Sequence, residues 1–133
     1  MATTTATLTI SSADLTSNPL AITTSSTLYK AGTTIGLEQT TGLSKKVYAA
    51  AQSNTTLISA GDYADNTHSR VYVRNSGSSS TDYFTVELGS SNIVLGRLYG
   101  GDFLFIPYEG EQDIDITSST TNMELEFMVI NEG

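Results

Sequence analysis

The stretch Met123-Glu124-Leu125-Glu126-Phe127-Met128-Val129 decides the fold class. Met123, Leu125, Phe127 and Val129 fall at every second position, with Glu124 and Glu126 between them. Side chains alternate across a β-strand, so this period of two puts four apolar residues on one face and both carboxylates on the other. A helix would need its apolar residues three and four apart. The segment reads as a strand with one face in a core and one in water.

The same period runs back toward residue 70. Ile114 and Ile116 define a strand with Asp113, Asp115 and Thr117 on its wet side. Phe84, Val86 and Leu88 are expected inward, and Tyr83, Thr85 and Glu87 outward. Val71 and Val73 share one face of a strand that ends at Asn75. Residues 76–80, Ser-Gly-Ser-Ser-Ser, read as a hairpin loop, and the glycines at 89 and 100–101 as further turns. Between those turns lie a strand over residues 93–98 and the segment Phe103-Leu104-Phe105-Ile106, which is apolar on both faces. Such a segment lies between two covering layers or at an interface. Pro107 has no N–H for a ladder and is expected to end that strand or sit on an edge.

The first half is more polar. Ala6, Leu8 and Ile10 alternate with Thr5, Thr7 and Thr9, a strand pattern, and Ser17-Asn18-Pro19 marks a turn. Leu28-Tyr29-Lys30 and Thr56-Leu57-Ile58 read as short strands, the latter followed by a polar loop over 61–69. For residues 46–51 the strand reading is favoured over a helical turn. Turn signals about ten residues apart suit a β-sandwich or barrel of antiparallel strands. At 133 residues the chain fits one domain, 1–133. Residues 1–11 are expected either to reach out as an extended arm or to form an edge strand of the domain itself.

Ser and Thr supply 38 residues, which fits half-exposed strands joined by polar turns. With no cysteine, neither disulfides nor thiolate metal sites are available. The formal charge of −8 lacks the basic footprint that nucleic-acid binding requires. All six basic residues lie at or before Arg97, whereas eight of the fourteen acids lie from Asp102 onward, which concentrates negative charge in the last third. Apolar runs fall far short of the roughly 20 residues that span a bilayer. The first ten residues lack the pattern of a secretion signal, so synthesis in the cytoplasm is expected and no membrane partner.

No motif dictates a chemistry. The one histidine, His68, lies in a polar loop, and no G-x-S-x-G elbow accompanies the many serines. Glu111, Asp113 and Asp115 recur at every second position, nearly 7 Å apart on a strand, wide for a calcium cage. Gly100-Gly101-Asp102 lacks the lysine and helix of a phosphate loop and is read as a hairpin turn. No catalytic residue, metal site or cofactor is therefore expected.

From Arg70 onward the order of elements is familiar: Arg70-Val71-Tyr72-Val73-Arg74-Asn75, a Ser-rich loop, then Asp82-Tyr83-Phe84-Thr85-Val86. Gly96-Arg97-Leu98-Tyr99-Gly100-Gly101-Asp102-Phe103-Leu104-Phe105-Ile106-Pro107 follows, then Asp113-Ile114-Asp115-Ile116 and a terminal strand ending Met128-Val129-Ile130. This half of the chain resembles small virion proteins of tailed bacteriophages, marine ones in particular, that decorate or cement the capsid exterior. The resemblance implies a jelly-roll-like sandwich of about eight short strands, located on the capsid surface and bound to the major capsid protein. It also implies a homo-oligomer, with trimers as one arrangement. It carries over no site residues. By their apolar character Ala6, Leu8, Ile10, Phe103, Phe105 and Tyr108 are the candidates for meeting a partner. The alternative is a receptor- or carbohydrate-binding module of a tail appendage, with Tyr83, Tyr99 and Tyr108 as aromatic platforms.

Overall fold

The computed structural model describes residues 2–132 and shows how the alternating segments pair. Eleven strands are present: β1 (Thr5–Ser12), β2 (Leu20–Thr27), β3 (Gln39–Thr40), β4 (Ser44–Tyr48), β5 (Thr55–Ile58), β6 (Ser69–Asn75), β7 (Tyr83–Leu88), β8 (Ile93–Tyr99), β9 (Phe103–Tyr108), β10 (Ile114–Ser118) and β11 (Met123–Asn131). A 3-10 turn, Ala60–Asp62, interrupts the loop after β5.

The last eight strands pair from the outside in. β4 lies against β11, β5 against β10, β6 against β9 and β7 against β8, all antiparallel. One long folded-back hairpin has thus wrapped into two facing sheets, ordered β4-β11-β6-β9 and β5-β10-β7-β8. This is a jelly roll. β3 continues the line of β4 along the end of β11, and β1 and β2 pair only with each other as a separate hairpin. The strand total exceeds the eight expected because the separate hairpin β1–β2 and the two-residue β3 add to the eight strands of the jelly roll.

Between the sheets the period of two operates as expected. Val71, Val73, Leu125 and Val129 point inward from one sheet, Phe84, Val86, Ile114 and Ile116 from the other, and all are essentially inaccessible. Each such side chain contributes roughly 1.5–3 kcal/mol of burial. Tyr48 on β4 meets the Phe84 ring edge-on at 6.1 Å, a direct contact across the two sheets.

Three expectations need correction. Glu87 and Asp115 were read as wet, yet both are buried. They sit directly opposite one another on β7 and β10, in the row facing away from the core. β8 carries one extra residue, Leu95, where the register passes from Val86–Gly96 to Glu87–Val94, and this bulge locally disrupts the ladder beside Glu87. Leu88, expected inward, is only half-buried past it. Second, residues 76–80 and Gly100-Gly101 are not hairpin turns, because β6 and β9 belong to one sheet and β7 and β8 to the other. Turn-forming residues report a reversal and are silent on which sheet follows. Third, Leu28-Tyr29-Lys30 forms only an isolated bridge, Tyr29 to Gly36.

The two sheet-to-sheet crossings are laced together by Asn75, which is buried. Its Nδ2 donates to the Leu98 carbonyl at 2.9 Å, its Oδ1 accepts from the Gly77 N–H at 3.0 Å, and its backbone bonds both Asp102 and Gly101. Gly100 donates to the Ser79 carbonyl at 2.9 Å, and a Cβ at Gly100 would stand 2.5 Å from that oxygen. Gly101 has φ +88° but open space around it. Neighbouring glycines therefore fail for different reasons. Gly101→Ala is expected to cost about 1–2 kcal/mol from its left-handed backbone alone. Gly100→Ala should cost more, because backbone must move. Urea midpoints of the two variants check the order, and a cheaper Gly100→Ala would refute the close crossing.

Candidate interaction surface

The hairpin β1–β2 forms from two strands rich in Thr and Ser, β1 alternating Thr with Ala, Leu and Ile, joined by a polar tip. Its register runs from Thr5–Thr27 to Ser12–Leu20, which places Ala6, Leu8, Ile10, Leu20 and Ile22 on one face. Thr7 and Ser25 share a hydroxyl–hydroxyl bond of 2.9 Å on the other. At the tip the Ser12 hydroxyl accepts from the Leu15 N–H at 3.1 Å, and Thr16 bonds the Asn18 carbonyl. A lone two-stranded hairpin is marginal in water. Here its base is held. Leu28 N–H donates to Thr4 at 2.9 Å, Leu28 and Leu37 are fully buried, and a Cβ at Gly36 would collide with the Ala2 carbonyl. Glu132 accepts from the N–H groups of both Ala31 and His68, while the His68 ring bonds the Tyr29 carbonyl. His68 thus serves as an anchor for the segment beneath the hairpin.

Beside the hairpin lies the outer face of β9. Alternation sends Leu104, Ile106 and Tyr108 inward and Phe103, Phe105 and Pro107 outward. Phe103 remains 59% and Phe105 40% exposed, and Tyr72 of β6 pairs with Phe105 across the ladder. With Ala6, Leu8 and Thr24 these rings line an apolar groove of about 450 Å³. One flank is charged. Glu126 accepts from the Tyr72 hydroxyl at 2.9 Å and faces Arg74 at 3.5 Å, and Lys45 meets Glu124 at 3.1 Å.

Of the six candidates, Ala6, Leu8, Phe103 and Phe105 converge on this groove. Ile10 lies farther along the hairpin. Tyr108 is corrected: it is buried against the core, its ring edge-on to Tyr63 at 5.8 Å and its hydroxyl donating to the Gln112 carbonyl. The same parity that exposes Phe103 and Phe105 buries it. Tyr72, Ile22 and Thr24 were not singled out from sequence, although Leu20, Ile22 and Thr24 repeat the alternation of β1.

A second aromatic patch lies on the opposite sheet. Tyr83 and Tyr99 pair across β7 and β8 with rings 5.2 Å apart, and the Arg97 guanidinium stands 4.3 Å over Tyr83. The carboxylates at 111, 113 and 115 do not converge. Glu111 is exposed, Asp113 Oδ1 accepts from the Ala60 N–H at 2.7 Å, and Asp115 lies within the sheet. Among the described residues no three acidic, histidine or cysteine side chains are arranged to hold a metal ion, and no helix is long and apolar enough to cross a membrane.

Three buried groups, Tyr108 and the pair Glu87 and Asp115, give testable energetics. Burial, followed by the charges of Asp113 and neighbouring groups, pushes the Tyr108 hydroxyl up to about 12 from 10.0. A folded value above the unfolded one means its contribution is complete below pH 10 and disappears as pH rises toward 12. Denaturation curves across that range should show the native chain losing on the order of 2 kcal/mol more than Tyr108→Phe. Parallel losses would contradict this. Glu87 and Asp115 place two buried carboxyl groups opposite each other; among the described residues Glu87 Oε2 and Asp115 Oδ1 have no hydrogen-bond partner, while Glu87 Oε1 accepts from the Thr117 hydroxyl at 2.6 Å. Asp115→Asn puts an amide donor opposite the unpartnered Glu87 oxygen, so it should stabilise the fold by about 1 kcal/mol. A lower urea midpoint would refute that account.

In comparisons with protein families, curated proteins and solved structures, no family model, curated protein or solved structure matches this chain.

Proposed function

We propose that the chain is a virion structural protein of a tailed bacteriophage, a capsid decoration or cement protein that binds the major capsid protein and stabilises the shell. The observation that carries the reading is the groove between the hairpin and β9, where Leu8, Tyr72, Phe103 and Phe105 present large apolar side chains to solvent. Contiguous exposed apolar surface rimmed by charge is the mark of a protein-binding site. Its rings supply rigid contact area at small entropic cost, which is what a hot spot needs. The fold agrees with the reading without requiring it, since jelly rolls serve both in viral capsids and in lectins. In this reading the protein works by fitting onto a lattice, not by catalysis, and its place is the outer capsid surface.

The Tyr83–Arg97–Tyr99 patch favours the second reading, a carbohydrate- or receptor-binding module. Adding the purified protein to undecorated capsids separates the two. Stoichiometric binding with a raised capsid melting temperature is expected. Phe103→Ser with Phe105→Ser should weaken that binding at least about ten-fold, the loss of roughly one hot-spot contact. Failure to bind capsids, together with capture on a glycan array that Tyr83→Ala abolishes, would replace the cement reading by the second one.

A further inference from the structure

At one end of the core layer the apolar rows stop and a small polar cavity begins. The inner row of β6 runs Val73, Val71, Ser69, and that of β11 runs Phe127, Val129, Asn131. Ile130 pairs with Arg70, so one step further the register sets Asn131 opposite Ser69. These two residues, with Asp62, Thr67 and Glu132, line a cavity of about 120 Å³. Tyr63, which packs against the core, lines it as well.

The lining is one-sided in charge. It holds the carboxylates of Asp62 and Glu132 and no lysine or arginine. Among the described residues neither carboxylate has an ion pair, and that of Asp62 accepts no hydrogen bond. The Glu132 oxygens accept from the Ala31 and His68 N–H groups, and each keeps a second lone pair. Independently of these charges, a hydroxyl inside the fold is left over. Ser69 is 1% exposed, alternation turns its side chain to the inner face where the cavity lies, and its Oγ has no partner. A buried polar atom without a partner marks a place for a water or an ion.

Water is the plain filling, and at about 30 Å³ each roughly four molecules fit. It would leave the two carboxylates uncompensated, and that charge selects a cation. The other oxygens at the lining are neutral. The Thr67 hydroxyl donates to the Ala64 carbonyl at 2.7 Å and keeps its lone pairs, and Asn131 brings an amide. Calcium takes about six to eight oxygens, charged and neutral, in irregular geometry, and water completes its shell. Magnesium demands a near-ideal octahedron, which loops and strand ends of this kind do not provide.

We propose that this cavity is a calcium site, with Asp62 and Glu132 as its charged ligands and Ser69, Thr67 and Asn131 supplying neutral oxygens. Two carboxylates balance the charge of one such ion. Because a third acid is absent, the dissociation constant is expected to be on the order of 10⁻⁴–10⁻³ M, the range of weak calcium modules. The ion ties the loop after β5 to the start of β6 and the end of β11. Through Glu132 it also steadies the Ala31 segment beneath the hairpin. None of this depends on what the groove at Phe103 and Phe105 binds.

The test uses the full-length chain stripped of metal with EDTA. Thermal melting is followed in EDTA, in millimolar calcium, and in magnesium at equal ionic strength. Calcium is expected to raise the melting temperature by about 5–10 °C, as a ligand of the folded state does in large excess, and magnesium much less. Terbium, a calcium substitute excited through nearby tyrosine, should give a signal that saturates at one ion per chain and that calcium displaces. Tyr63 is at the cavity, and the chain has no tryptophan to compete. Asp62→Asn should abolish both responses and leave melting in EDTA unchanged, because Asp62 is exposed and bonded to nothing else through its carboxylate. Asp65→Asn, on the same loop outside the cavity, should alter neither response. An unchanged melting temperature in calcium would overturn the proposal and leave the cavity to water. An equal effect of magnesium, or a terbium signal that survives in Asp62→Asn, would overturn it by tracing the response to the acidic surface at large.

Discussion

Everything in this molecule depends on two sheets sharing one dry layer. Val71, Val73, Leu125 and Val129 on one side and Phe84, Val86, Ile114 and Ile116 on the other can be fully buried only if four strands hold strict alternation through the core. A slip of one residue in any of them would turn its apolar set to water and its polar set inward. That constraint makes the outside-in pairing cooperative. β6 and β11 lie side by side in one sheet, flanked by β9 and β4, and β7 and β10 in the other, flanked by β8 and β5. The buried Asn75 then joins the crossings at one end, where a peptide left without partners would otherwise cost 1–3 kcal/mol.

The core was legible for the same reason that it is stable. A period of two in Val71–Val73, Phe84–Val86, Ile114–Ile116 and Met123–Val129 has one physical interpretation, and the strands occur there. Topology was less legible. Ser76 to Ser80 and Gly100-Gly101 have the composition of tight turns, and tight turns usually join neighbours in one sheet. Whether a turn returns to the same sheet or crosses to the other depends on pairings 50 to 60 residues away, such as β6 with β11. Glu87 and Asp115 show a second limit. Alternation placed them on the outer row, yet burial on that row depends on a bulge in β8 and on the opposed register of β7 and β10, and neither leaves a local trace in sequence.

The interaction surface divides along the same line. Phe103 and Phe105 could be recognised because a segment apolar on both faces exceeds what one core can absorb. Their neighbour Tyr108 looked equivalent and is not, since parity along β9 assigns it to the core. The hairpin was only half visible. Ala6, Leu8 and Ile10 alternate with threonines as a core strand would, and nothing in that pattern states that the strand pairs with β2 alone. What marks the segment is the absence of charge over residues 5–27 apart from Asp14.

That charge distribution connects stability with assembly. A net charge of −8 on a small domain keeps copies apart in solution and falls off within about 10 Å at ordinary ionic strength. Contact surfaces can then be apolar without causing indiscriminate aggregation, provided they are few and geometrically particular. The two apolar regions differ in shape. The hairpin presents a narrow two-stranded face, whereas the β8–β9 side presents a hollow between two edges, with a bulge at Leu95 and a proline at 107 that hinder simple strand addition. A bulge and a proline on that side thus work against open-ended growth of the sheet. In the proposed reading, the groove at Phe103 and Phe105 is the surface whose burial is completed on binding, and the charged side chains along its flank limit where a partner can sit.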